Sequence, residues 1–184
     1  MAASSEQREA ARELWAFSLA VYDRPEVAGA CLALQDKHGL DVNLLLFCCW
    51  AGARGQKLTK AKLKRLDAAV ASWRQQVVHP LRAARRHLKG ERDDDAQDLR
   101  AKIMQLEIEA ERQEQTRLAF LLPLPAKDPE PRLAAANLLT YAALVAPADE
   151  GAESEGIDVA ELAALLTGSF PDLPPLAAIW FLLP

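Results

Sequence analysis

The run from Leu44 to Ala53, LLLFCCWAGA, holds no charged side chain and nothing strongly polar. Wound as a helix it is apolar on every side, so it needs neighbours on every side. It is well short of the roughly 18 residues that cross a bilayer. Asp41 stands where it caps a helix from Val42 to Arg54. A chain built around such a segment must enclose it.

Composition says what encloses it. Ala and Leu occupy 65 positions, while Val, Ile and Thr occupy 16. Unbranched side chains keep their rotamer freedom in a helix and β-branched ones lose it, so the predicted fold is all-α. Apolar spacing and punctuation place a first helix over Ser5 to Val21, with Leu14, Phe17 and Val21 on one stripe and Trp15, Leu19 and Tyr22 on a second. Two stripes predict burial on more than one side. A second helix starts at Pro25 and stops at Gly39, and a fourth starts at Thr59. Pro80 must kink or restart that fourth helix. A long helix follows from about Ala96 to Leu122, then Arg132 to Val145, and two shorter pieces over Val159 to Thr167 and Leu176 to Leu182. The expectation is a single-domain antiparallel bundle of about six to eight helices. It divides into a core over 1–146, an acidic loop or linker over 147–157 and short C-terminal helices over 158–184 docked on the bundle.

Charge is unevenly spread. Residues 54–92 carry 12 basic and 2 acidic side chains, between segments of net charge −3 and −11. The first twelve residues are polar and mixed in charge, unlike a signal peptide. Cys31, Cys48 and Cys49 lie in apolar stretches without a CxxC knuckle and read as buried, reduced thiols. These features predict a soluble cytoplasmic protein with no membrane anchor.

Catalytic signatures are missing: there is no G-x-S-x-G, Walker A or G-x-G-x-x-G, and no Glu stands three residues before His38, His79 or His87. Asp94, Asp95 and Asp98 spell DDxxD, the magnesium motif of prenyl-diphosphate synthases. They follow a solvated turn and have no second acidic motif, so they read as the acidic start of a helix. No metal and no cofactor are expected.

Two constellations remain. Gln35, Asp36, Asp41 and Asn43 gather around the turn between the second and third helices, a candidate polar site or simply capping residues. Arg82, Arg85, Arg86 and Lys89 share one helical face, with Arg74 upstream; they are candidates for an anion or an acidic partner. Glu107, Glu111 and Glu114 make an acidic stripe at the same spacing, and the plainer expectation is that the two stripes pair or face water. Glu107 and Glu111 also belong to the candidate polar site.

Trp15-Ala-Phe-Ser-Leu-Ala-Val-Tyr22, then Leu34-Gln35-Asp36, Gly39 and Asp41-Val-Asn-Leu-Leu-Leu-Phe-Cys-Cys-Trp50 resemble the N-terminal signature of an uncharacterised, mainly proteobacterial family of small helical proteins. Trp73-Arg74, Val77, Pro80-Leu81-Arg82, Arg85 and the Glu107 to Gln115 helix extend the resemblance, which covers about residues 14–122. The family is a domain of unknown function, so the resemblance implies a lineage and no activity. The expected function is a helical binding or adaptor protein with a protein partner or an anionic surface. RNA or another polyanion held by the 54–92 segment is an alternative, and an enzyme with an undescribed polar site is another. A homodimer is compatible with the strongly apolar stretch from Ile179 to Leu183.

Overall fold

The computed structural model describes residues 3–145 and 157–183. Among them the helices are α1 (Ser5–Tyr22), α2 (Pro25–His38), α3 (Val42–Ala53), α4 (Lys60–Trp73), α5 (His79–Leu88), α6 (Asp94–Leu121), α7 (Pro131–Val145), α8 (Val159–Ser169) and α9 (Pro175–Leu182). There is no strand among these residues, and a π-helical turn, Arg74–Val78, joins α4 to α5 without a break. Counted as rods, there are eight, so the all-α bundle is the observed architecture. None is long and apolar enough to cross a membrane. The expected acidic loop at 147–156 lies outside the described residues.

Local chemistry explains the boundaries. Ser4 and Gln7 form a reciprocal capping box at the start of α1, Asp41 accepts from the Leu44 N–H at 2.8 Å, and Asp93 accepts from the Ala96 N–H at 2.8 Å. Asp93 therefore starts α6 at Asp94, two residues earlier than the apolar spacing suggests, and Asp94 and Asp95 sit in its first turn beside the free N–H groups. Gly39 ends α2 with φ 67°, a left-handed conformation that a side chain resists.

Pro80 does not break the fourth rod. Its ring would press on the carbonyl four residues back, and the π turn answers this by widening: the His79 N–H reaches the Arg74 carbonyl, five residues back. The chain runs on as α5 with its rotation offset by that extra residue.

The core forms around α3, in which every residue from Asn43 to Gly52 is buried. α7 lies closest: a Cβ on Gly52 would come within 2.4 Å of the Ala134 Cβ, so the two backbones touch. Asn137 of α7 secures the contact, accepting from the Leu58 N–H at 2.7 Å and donating to the Cys48 and Gln56 carbonyls at 3.2 and 3.0 Å. α8 packs on α2, and α9 packs on α8 and α7. Cys31, Cys48 and Cys49 are buried free thiols; burial pushes Cys31 and Cys49 up to about 12, far from a reactive thiolate.

Candidate functional site

The second stripe of α1 does not enter the core. Leu14 and Val21 do, while Trp15, Leu19 and Tyr22 form one wall of a half-open cleft of about 420 Å³. Leu32 and Gln35 of α2, Val42, Asn43 and Leu46 of α3, Arg82, Arg85 and Arg86 of α5, and Met104, Glu107, Ile108, Glu111 and Gln115 of α6 complete the lining. Leu19, Tyr22, Leu32, Met104 and Ile108 are exposed at its mouth, whereas Ser18, Asn43, Glu107 and Gln115 are buried at its base. The exposed lining is mainly apolar, while the buried lining mixes these polar groups with the apolar Leu46.

The charged groups of the cleft engage one another. Arg82 donates from Nε to Glu107 at 2.9 Å, from Nη2 to Glu111 at 2.6 Å and from Nη1 to the Gln35 side-chain carbonyl. Arg85 donates twice to Glu107, once at 3.2 Å, and Arg86 pairs with Asp36 at 3.2 Å on the rim. Burial would raise the Glu107 carboxyl, but the bonds from Arg85 and Arg82 outweigh it and hold it below the usual carboxylate range. Burial dominates at Glu111, whose carboxyl is raised despite Arg82. The π turn sets this register, because it fixes which face α5 turns towards α6.

Glu114 departs from the expected stripe. It is fully buried and meets none of the α5 arginines; its Oε2 accepts from Asn43 at 3.2 Å, and Asn43 in turn accepts from Gln115 at 2.9 Å. Burial first, then the nearby Asp41 carboxylate, pushes Glu114 up to about 8, so it is mainly protonated at neutral pH. The helical spacing of Glu107, Glu111 and Glu114 signals one face; the departure comes from Asn43 and Gln115, whose roles no spacing announces. Around this site, three of the buried oxygens without a protein partner among the described residues are Ser18 Oγ, Gln115 Oε1 and Glu114 Oε1. Ser18 and Gln115 line the cleft.

The other candidates fall elsewhere. Asp41 caps α3, accepts a 3.3 Å ion pair from Arg74 and donates its backbone N–H to the Tyr141 hydroxyl at 3.1 Å. Arg74 also donates to Asp67 at 2.8 Å, so its guanidinium is engaged by Asp41 and Asp67 and not by the α6 glutamates that hold Arg82 and Arg85. A second, more polar cleft of about 350 Å³ holds Asp36, Asp41, Arg74 and His79 and shares Gln35, Arg82 and Arg86 with the first. Lys89 is exposed. Asp94, Asp95 and Asp98 are exposed, and no group of His, Cys, Asp or Glu among the described residues is placed to hold a metal.

No curated protein and no solved structure matches the chain. A family model described as a protein of unknown function, DUF2390, matches residues 13–118, which holds the second half of α1, all of α2 to α5, most of α6 and every residue lining the cleft. The chain belongs to that family.

Proposed function

We propose that this protein acts by binding, as an adaptor whose cleft between α1, α2, α5 and α6 receives an amphipathic segment of a protein partner. The five large apolar side chains left exposed around the cleft carry this reading. A small molecule entering it would leave its apolar body among Leu19, Tyr22, Leu32, Met104 and Ile108, still facing water. A helix laid across the mouth brings its own outer cover and buries those side chains at about 25 cal/mol per Å². The committed state of Arg82, Glu107 and Glu111 favours binding over catalysis, since groups already paired are not poised to move a proton. Ile108→Glu places a charge at the mouth without touching the core. It is expected to abolish the fluorescence enhancement of the apolar dye anilinonaphthalene sulfonate that wild-type protein gives at dilutions where the chain is monomeric and the cleft open, while stability changes by about 0.5 kcal/mol or less. Equal enhancement by both proteins would overturn the reading.

One observation favours the polyanion alternative at a different place. Lys57, Lys60, Lys62 and Lys64 are exposed around the start of α4, which has no acidic residue in its first turn. A polyanion held there would be retained on heparin and released steeply by salt, with a logarithmic slope of about −0.9 per phosphate neutralised for duplex nucleic acid. The adaptor reading expects Lys60→Glu/Lys64→Glu to elute with the wild type near physiological salt. Retention by the wild type alone would move the function to α4.

A further inference from the structure

We infer that the segment received by the cleft is α9 of a second copy of this chain. The inference rests on the adaptor reading and names its partner. Of the eleven large apolar side chains exposed among the described residues, five stand at the mouth of the cleft and three, Leu176, Trp180 and Leu183, stand on or just past α9. Leu176 and Trp180, each 72% exposed, share one face of α9 at the i, i+4 spacing of a helix laid in a groove, and Leu183, 46% exposed, follows in extended backbone. The rest of α9 holds it on its own molecule: Ala178 and Leu182 are buried, and Phe181 lies under the Arg132 guanidinium. Its principal neighbours are α7 and α8, not the helices lining the cleft, so the segment is presented outward.

The chemistry of the two surfaces matches. Trp180 ends in an indole N–H, which donates and never accepts. The base of the cleft holds Gln115 Oε1, an acceptor, and Ser18 Oγ, both buried and unpartnered. An inserted indole buries about 150–250 Å² and gives one of these oxygens the donor it lacks. Nothing from Leu173 to Leu183 is charged, so the insert meets the Arg82, Glu107 and Glu111 cluster without opposing it. The first charge outside α9, the exposed Asp172, suits a rim where Arg86 spends one nitrogen on Asp36. Because cleft and α9 are different surfaces, two copies close the arrangement by exchanging α9 mutually.

The test is the solution mass of the full chain by light scattering and sedimentation. Wild-type protein is expected to form pairs. Ile108→Glu and Trp180→Ala, both at exposed positions, are each expected to be monomeric with unchanged helical circular dichroism. Mixed in equal amounts they regain pairs, since one intact contact remains: the cleft of the second variant with the α9 of the first. Trp180→Phe keeps the ring and loses the N–H, and should weaken pairing about five- to tenfold. A monomeric wild type at its highest soluble concentration, a variant that keeps the wild-type mass, or a mixture that stays monomeric overturns the inference. Where the wild type is monomeric but dye enhancement is still lost on Ile108→Glu, the adaptor reading survives and only the identity of the partner falls. Where neither responds, both fall.

Discussion

Three glutamates on one helix show how much a side chain's surroundings decide. Glu107, Glu111 and Glu114 share a spacing, yet Glu107 is held ionised between two arginines while Glu114 is buried beside Asn43 with one oxygen unpartnered. The acidic stripe was legible in the sequence; the split was not, because it depends on Asn43 and Asp41 arriving from α3 and its cap. The two glutamates pull stability in opposite directions with pH. Glu107, depressed in the fold, contributes stability present above its unfolded pKa and lost as pH falls. Glu114, raised to about 8, keeps its proton in the fold while the unfolded chain ionises, so its contribution is complete below the ordinary glutamate range and is lost as pH rises towards 8. Glu114→Gln retains an acceptor for Asn43 and cannot ionise. Urea unfolding from pH 5 to 8 should show the wild type losing at most about 1.4 kcal/mol per pH unit relative to the variant. Parallel pH profiles would show that burial and the Asp41 and Glu111 carboxylates, acting against the Arg74 cation, do not hold the proton on Glu114.

At the scale of the elements, α5 is the exception in a bundle assembled by apolar burial. It has no fully buried residue, and the bonds from Arg82 and Arg85 to Glu107 and Glu111 fasten it to α6. Such docking tolerates no rotation, and the π turn sets the rotation. Inserting an alanine after Gln76 adds a residue the turn has no room to absorb and should swing α5 by about 100°. With Glu107 then buried and unpaired, the expected loss is about 3 kcal/mol or more. Gln76→Ala, with the residue count intact, should be nearly neutral, and equal stability of the two variants in urea would show that α5 is held by something else. The helices and several caps were legible from the sequence, since Pro25, Gly39, Asp41 and Thr59 act on their own neighbours. The continuation through Pro80 was not, because a proline announces a lost hydrogen bond without saying how the backbone absorbs it. Nor was the cleft: the Trp15, Leu19 and Tyr22 stripe reads as a second buried face, and its spacing does not announce that the side chains facing it from α2, α5 and α6 lie across a gap.

Across the whole molecule, the part that matches the family and the part that completes the core are different stretches of chain. The match ends at residue 118, while Tyr141 and Asn137 of α7 hold the cap of α3 and the approach to α4. A chain stopped after Leu121 would keep every residue lining the cleft and lose the cover of its central helix, α3. It should therefore be recovered as aggregates, or in solution as an expanded, dye-binding state; a soluble, cooperatively melting 1–121 fragment would contradict this. The same touching of Gly52 and Ala134 bears on how the protein is made. Synthesis proceeds from the N-terminus, so α3 leaves the ribosome some eighty residues before the helix that must lie flush against it. At the ~5–20 residues added per second, its bare side waits for seconds, long enough for a chaperone to hold it. The glycine that lets two backbones meet in the finished fold thus also marks where the growing chain needs guarding.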